Sequence, residues 1–216
     1  MIAIVDYRAG NLTSVRLALD SIDAEAAVTD RAEDIRAADR VIFPGVGAAG
    51  TAMQTLRQLN LADVLSESVR DGKPFLGICL GTQIIFEHTE EDGGVDGIGL
   101  VAGDVRLFRP DNPRDKVPQM GWNRVRQCHS HPLFAGIPDE SEFYFVHSYY
   151  PKPSDPGWVL GETEYAGVRF ASVTGHGNLV ATQFHPEKSG RIGLRFLNNF
   201  VRWEPATRQT EKGSPC

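Results

Sequence analysis

The chain has 216 residues, 41% of them hydrophobic and 23% charged, with 22 Lys and Arg against 28 Asp and Glu for a formal net charge of −6. These values describe a globular protein long enough for one ordinary domain with a substantial core, and they exclude a disordered or repeat-built chain. No basic stretch suggests nucleic acid as a partner, and no uninterrupted apolar run reaches membrane-spanning length.

The start, Met1 to Tyr7, has no cationic lead and meets Asp6 at once, so it does not read as a signal peptide. Ile2 to Val5 reads as a first strand, followed by a helical pattern through Leu12, Val15, Leu17, Leu19 and Ile22. Ala26 to Val28 predicts a second strand and Arg31 to Ala38 a short helix. Val41 to Phe43 predicts a third strand, running into Pro44-Gly45-Val46-Gly47. Ala48 to Val69 has helical spacing with a break near Asn60. Phe75 to Ile78 predicts a fourth strand, and Leu80 to Glu87 a following helix. Such alternation implies an α/β fold with an open, mostly parallel sheet flanked by helices. Beyond about residue 90, glycines mark turns and the segments shorten. Glu142–Val146, Trp158–Gly161, Val168–Val173 and Leu179–Phe184 read as added antiparallel strands, the last two joined by a hairpin turn at Gly175 to Asn178. Ser189 to about Trp203 predicts a final helix, which makes residues 1–203 one domain and 204–216 a polar, frayed tail.

Three segments carry chemistry. Gly77-Ile78-Cys79-Leu80-Gly81 places a thiol between two glycines where a strand meets a helix, the pattern of a nucleophile elbow. There the Leu80 N–H would face a developing oxyanion, and the helix start would favour thiolate. A buried core cysteine accounts for Cys79 alone but needs no flanking glycines. His185-Pro186-Glu187 would set an imidazole and a carboxylate on one side of an extended segment, stiffened by the proline. Thiol, imidazole and carboxylate are the parts of an acyl-transfer triad. Pro44 to Gly47 also follows a strand, so it would share the strand C-terminal end with the elbow. Other motifs carry less. Cys128-His129-Ser130-His131 lacks a second pair of metal ligands and reads as a polar turn. His88 and His176 read as solvated loop residues. The cysteines, Cys79, Cys128 and Cys216, are odd in number and scattered, so a disulfide framework is not expected and a cytoplasmic location is.

Together these residues resemble the triad class of glutamine amidotransferases, with its flavodoxin-like fold. Within it they resemble the glutaminase subunits of imidazole glycerol phosphate synthase, from histidine biosynthesis. The resemblance runs from Met1 to about Trp203. Its motifs are Gly77 to Gln83, His185 to Glu187, Asp6-Tyr7 with Gly10-Asn11, Pro44 to Gly47, Pro118 to Asn123, Phe145 to Tyr150 and Gln183 to Ser189. Thr82 departs from a common methionine, and Gly190 from a common glutamine.

The resemblance implies that Cys79 attacks the glutamine side-chain amide, His185 moves the protons and Glu187 orients it. Gln83 and Gly45, Val46 and Gly47 would hold glutamine, with Ser148 and Tyr149 nearby. No metal and no cofactor is implied. Ammonia would pass to a (β/α)8-barrel cyclase partner, with Met120, Trp122, Asn123 and Lys188 at the interface. A core position is the competing reading for Trp122. Activity would stay low until the partner and its nucleotide bind, with the loop at Gly45 and Gly47 as hinge. The alternatives are the glutaminase of another amidotransferase complex, a non-catalytic interaction subunit of the same fold, or a cysteine peptidase. The Met-Gly-Trp-Asn and Glu-Lys-Ser segments disfavour the first, the complete triad the second, and the absence of an extended-groove signal the third.

Overall fold

The computed structural model describes residues 1–8 and 10–205. The tail expectation from residue 206 onward, including Cys216, lies outside the described residues. β1 (Ile2–Val5), β2 (Ala26–Thr29), β3 (Arg40–Gly45) and β4 (Phe75–Cys79) alternate with α1 (Leu12–Asp20), α2 (Ala32–Ala37), α3 (Ala49–Gln58) and α4 (Leu61–Arg70). The expected break separates α3 from α4 at Asn60, whose left-handed backbone (φ 54°) is one that asparagine tolerates.

Two-residue periodicity explains how β1, β4 and all of β3 after Arg40 are apolar and buried. Ile2, Ile4, Ile42, Leu76 and Ile78 face one core with Val15 and Leu19 of α1. Ala3, Val5, Val41, Phe43 and Phe75 face the other with Met53, Leu56, Leu61 and Leu65 of α3 and α4. A strand buried on both faces has no polar side to alternate.

The second half adds β8 (Gln119–Gln127), β9 (Ser141–His147), β11 (Val159–Tyr165), β12 (Val168–His176), β13 (Leu179–Thr182) and α6 (Gly190–Arg202). Among the described residues the main sheet runs β2-β1-β3-β4-β13-β12-β11-β8-β9. It is parallel from β2 to β13 and antiparallel beyond. The hairpin between β12 and β13 turns at Gly177-Asn178, and Asn178 Nδ2 ties it to the carbonyls of Val69 and Lys73. The position of β13 beside β4 matters most, because it brings the end of a late strand next to Cys79.

Two expectations need correction. The helix after Cys79, α5, covers only Leu80–Ile84, and the chain then enters β5 (Phe86–Thr89). The carbonyls that a longer helix would use are taken instead: Ile98 N–H donates to Ile84 O at 2.7 Å and Leu100 N–H to Ile85 O at 2.8 Å. These contacts lie beside a smaller sheet, β10-β7-β5-β6, with β6 (Val95–Asp96), β7 (Val101–Leu107) and β10 (Tyr149–Pro153). His88 and His176 are strand residues rather than loop residues. His88 pairs with Asp96 at 3.0 Å, and His176 stacks on Trp158 with ring centroids 4.9 Å apart.

Candidate active site

Cys79 closes β4 in a conformation that few L-residues adopt, φ 53° and ψ −108°. Such strain costs of order 1–3 kcal/mol and persists where the surroundings over-determine it. The flanking glycines show how. A Cβ on Gly81 would lie 1.9 Å from the Phe43 carbonyl oxygen, and one on Gly77 would lie 3.1 Å from the Ala181 Cβ. The elbow is therefore wedged between β3 and β13, which pair with β4 on either side.

His185 lies beyond β13, whose Thr182 pairs with Ile78. Phe184 anchors it from below, stacked on Phe143 at 4.0 Å. The pairing of imidazole and carboxylate forms, but not on an extended segment. Pro186–Lys188 is a 3-10 turn, and its curl brings Glu187 Oε1 to 2.7 Å from His185 Nδ1. Proline favours such a helical start, which the expectation of a stiff extended link overlooked. Ser189 Oγ locks the turn, donating to His185 O at 2.6 Å and accepting the Tyr144 N–H at 3.0 Å. Asn11 Nδ2 gives Glu187 Oε1 a second donor at 2.5 Å.

Both side chains of the His185–Glu187 pair are buried, at 1% and 0% exposure. Burial alone pulls an imidazole down. The negative sulfur of Cys79 and the Glu187 carboxylate outweigh it, and His185 is raised to about 10. Its Nε2 makes no well-formed hydrogen bond. Cys79 raises His185 both through its charge and as a hydrogen-bond partner, although the contact falls short of good hydrogen-bond geometry, as is common before substrate binds.

A cavity of about 340 Å³ opens over the sulfur, walled by Val46, Gly47, Leu80, Gln83, Glu91 and Tyr149 among others, including Ser148. Gly45 does not line it. It sits behind the wall against Tyr7, whose hydroxyl would be 1.7 Å from a Cβ there. That hydroxyl is buried and unpartnered, and burial together with the Cys79 charge raises its pKa.

At the cavity wall and behind it, His147 and Gln119, which sequence reasoning missed, join Gln83 and the Tyr149 carbonyl in a polar network. Tyr149 O accepts from His147 Nδ1 at 2.7 Å and from Gln83 Nε2 at 3.1 Å. A carbonyl only accepts, so Nδ1 carries the His147 proton. Its Nε2, 2.9 Å from the Gln119 amide, then needs the NH2 end of that amide. Burial lowers His147 to about 4, against a partly opposing bond to Tyr149 O and aided by the His185 charge. Glu91, also missed, accepts from Ala49 N–H at 2.9 Å and turns a carboxylate to the cavity. Burial raises its pKa, and Asp92 adds to the effect.

The family model described as glutamine amidotransferase class-I matches residues 4–203. The chain belongs to the class-I glutamine amidotransferases. Among relatives of this amidotransferase, the imidazole glycerol phosphate synthase subunit HisH of Pseudomonas putida is 49% identical, over 94% of this chain and 97% of its own length. The subunit of the same name from Methanocaldococcus jannaschii is 47% identical, over 93% and 98%. Among solved structures, a glutamine amidotransferase matches with a TM-score of 0.72 at 17% identity, over 94% of this chain and 98% of that one. The PurLQS structure from Thermotoga maritima gives 0.71 at 16%, over 93% and 97%. At such identities the structures establish the shared fold alone.

Away from the cavity, this amidotransferase exposes Met120 and Trp122 on one face of β8, at 66% and 56%. Trp122 is therefore not a core residue. It meets Tyr144 of β9 edge-to-face at 6.1 Å. The exposed Lys188 belongs to the turn flanked by His185 and Ser189, both bonded to the Tyr144 backbone. Asn123 does not share this patch. Strand alternation turns it away, and its Nδ2 donates to Glu164 O at 2.9 Å. It borders a polar hollow of about 270 Å³ whose Arg126 and Glu162 pair with each other. Cys128 and His131 have local partners, Arg126 O and Leu133 N–H.

Proposed function

We propose that this protein is the glutaminase subunit of an imidazole glycerol phosphate synthase, acting in the cytoplasm as one domain over residues 1–203. The supporting observation is a strained cysteine that lines a cavity and whose charge acts on a buried imidazole anchored by a carboxylate at 2.7 Å.

In this reading the Cys79 sulfur attacks the side-chain carbonyl carbon of glutamine. Leu80 and the Val46–Gly47 loop supply backbone N–H groups for the oxyanion. Glu91 suits the α-ammonium of the amino acid, and Gln83, Ser148 and Tyr149 hold its polar groups. As the tetrahedral intermediate collapses, the proton of His185 passes to the leaving amide nitrogen, which departs as ammonia. The sulfur is then a neutral thioester, so the charge that raised His185 has gone. Its pKa falls, and the now neutral imidazole takes a proton from the attacking water. The second collapse releases glutamate and restores the thiolate–imidazolium pair. Nucleophile formation and general-base catalysis thus use one histidine in two charge states, set by the sulfur. Glu187 holds Nδ1 throughout.

Free ammonia would be lost as ammonium, so the product needs a protected route. The patch of Met120, Trp122 and Lys188 is the proposed docking face for a (β/α)8-barrel cyclase. An exposed tryptophan on a strand is a suitable anchor. A loop at Gly45 to Gly47 not yet aligned for the oxyanion would keep the free subunit slow, because one missing donor costs about 100- to 1000-fold.

The test is glutamine-dependent cyclisation by the complex, wild type against Cys79→Ala, with ammonium as an alternative nitrogen source. Loss of the glutamine reaction with the ammonium reaction intact is expected. Glutamate release by Cys79→Ala at the wild-type rate would end this reading.

A further inference from the structure

The sulfur of Cys79 has a neighbour with no role so far. Gln183 lies one residue beyond β13 and is fully buried, its backbone N–H extending the ladder to Ser172 O at 2.9 Å. The register that pairs Thr182 with Ile78 brings its side chain level with Cys79. Its Nε2 lies 3.8 Å from Cys79 Sγ, while its Oε1 accepts from Gln83 Nε2 at 3.1 Å.

The orientation of this amide follows from its surroundings. Tyr149 O accepts only, so Gln83 must present its NH2 group there. The second N–H of that group points at Gln183, which must answer with oxygen. The Gln183 NH2 group is left facing the sulfur. A chain of fixed donors therefore runs from a backbone carbonyl through two amides and ends on Cys79.

We infer that Gln183 is a positioning residue that holds Cys79 in its thiolate form and keeps the adjoining Gln83 amide in register for substrate. A second contact supports the distinction between thiol and thiolate. Val146 O lies 3.9 Å from Cys79 Sγ and can be bonded only while the sulfur carries a proton. The Gln183 N–H is most useful after the proton has left, because donors bond charged acceptors more strongly than neutral ones. Carbonyl and amide thus favour opposite protonation states of one sulfur. The inference rests on Cys79 being the nucleophile.

The experiment measures alkylation of Cys79 by iodoacetamide against pH in the full chain, with the modified peptide identified by mass spectrometry. Gln183→Met keeps the volume and removes the donor. Alkylation at neutral pH should slow about tenfold or more and its midpoint should rise by about one pH unit or more. Gln83→Met removes a substrate contact and also the donor that fixes the Gln183 amide, so it should raise the KM for glutamine and shift that midpoint in the same direction but by less, because the Gln183 N–H is still present. If Gln183→Met does not fold, Gln183→Asn withdraws the same amide by one methylene and carries the same expectation. An unmoved midpoint in the folded Gln183 variant, with Cys79→Ala inactive, overturns the role given to Gln183 alone. A fully active Cys79→Ala would instead overturn the nucleophile assignment.

Discussion

Gly81→Ala tests the elbow without touching a reacting group. The added Cβ would lie 1.9 Å from the Phe43 carbonyl oxygen and 2.9 Å from its carbon, where real Cβ contacts essentially never fall below 3.0 Å. Phe43 cannot swing aside as a surface side chain would, because β3 is paired with β1 and β4 on either edge. The start of α5 must therefore retreat by about 1 Å, carrying Cys79 and Leu80 with it. Overpacking of this kind costs about 1–3 kcal/mol of stability, which lowers the melting temperature by roughly 2–12 °C in a domain of this size. The cost in rate is larger, because a misplacement of about 1 Å at reacting atoms lowers activity on the order of 100-fold. Circular dichroism should report a folded protein with a modestly lower melting point. Glutamate release in the complex should fall by about that factor, and cyclisation fed by ammonium should persist. A folded Gly81→Ala enzyme whose kcat/KM for glutamine stays within about threefold of wild type would refute the wedge argument.

Asn11→Gly preserves the left-handed backbone at Asn11 (φ 74°) and deletes the second donor to Glu187 Oε1. Loss of a bond to a charged acceptor should lower kcat about 10- to 100-fold with little change in KM; an unchanged kcat would show that His185 alone fixes that carboxylate. The two site histidines should show midpoints displaced in opposite directions from an ordinary imidazole in side-chain NMR spectra. His185 should stay protonated until the pH approaches 10, and His147 should stay neutral until the pH falls to about 4. In Cys79→Ala the sulfur charge is gone and burial remains, so the His185 midpoint should drop; the same midpoint in both proteins would contradict the charge-coupled mechanism. Trp122→Ala, at a side chain 56% exposed, should leave the melting temperature nearly unchanged. It should weaken calorimetric binding to the proposed barrel cyclase partner about 30-fold, the effect of an anchor residue; equal affinity would remove this face from the proposed interface.

The parallel half of the sheet was legible because its strands are short apolar runs separated by amphipathic helices. Glycines around Cys79 were legible for a related reason, since a turn that close to a neighbouring backbone leaves no room for a Cβ. The smaller sheet escaped notice. Its β6 has only two residues and β7 contains Gly103, so neither presents a clean alternation. Sequence pattern extends the helix after Cys79 past Ile84 because the apolar Ile84, Ile85 and Phe86 suit a helix and a strand equally. The polar network left a weaker trace. Phe143, Phe145 and His147 all face inward on β9, so His147 occupies an apolar position, and Gln183, one residue beyond β13, is likewise a polar residue at a fully buried position. A polar residue at an inward position of a patterned strand was the available signal.

Strain and polarity accumulate where three neighbouring parallel strands end. β3 delivers Gly45 to Gly47, β4 delivers Cys79, and the chain beyond β13 delivers Gln183 and His185. Each departs from what the local sequence would choose: a positive φ at cysteine, an imidazole buried beside a carboxylate, an amide inside an apolar face. Any one of these alone would destabilise the domain. They are tolerated because each satisfies another: Gly81 admits the elbow, Glu187 holds the imidazole, and Gln83 fixes the amide. Single substitutions here should therefore cost more than the sum of the contacts they remove, since each leaves a buried partner unpaired.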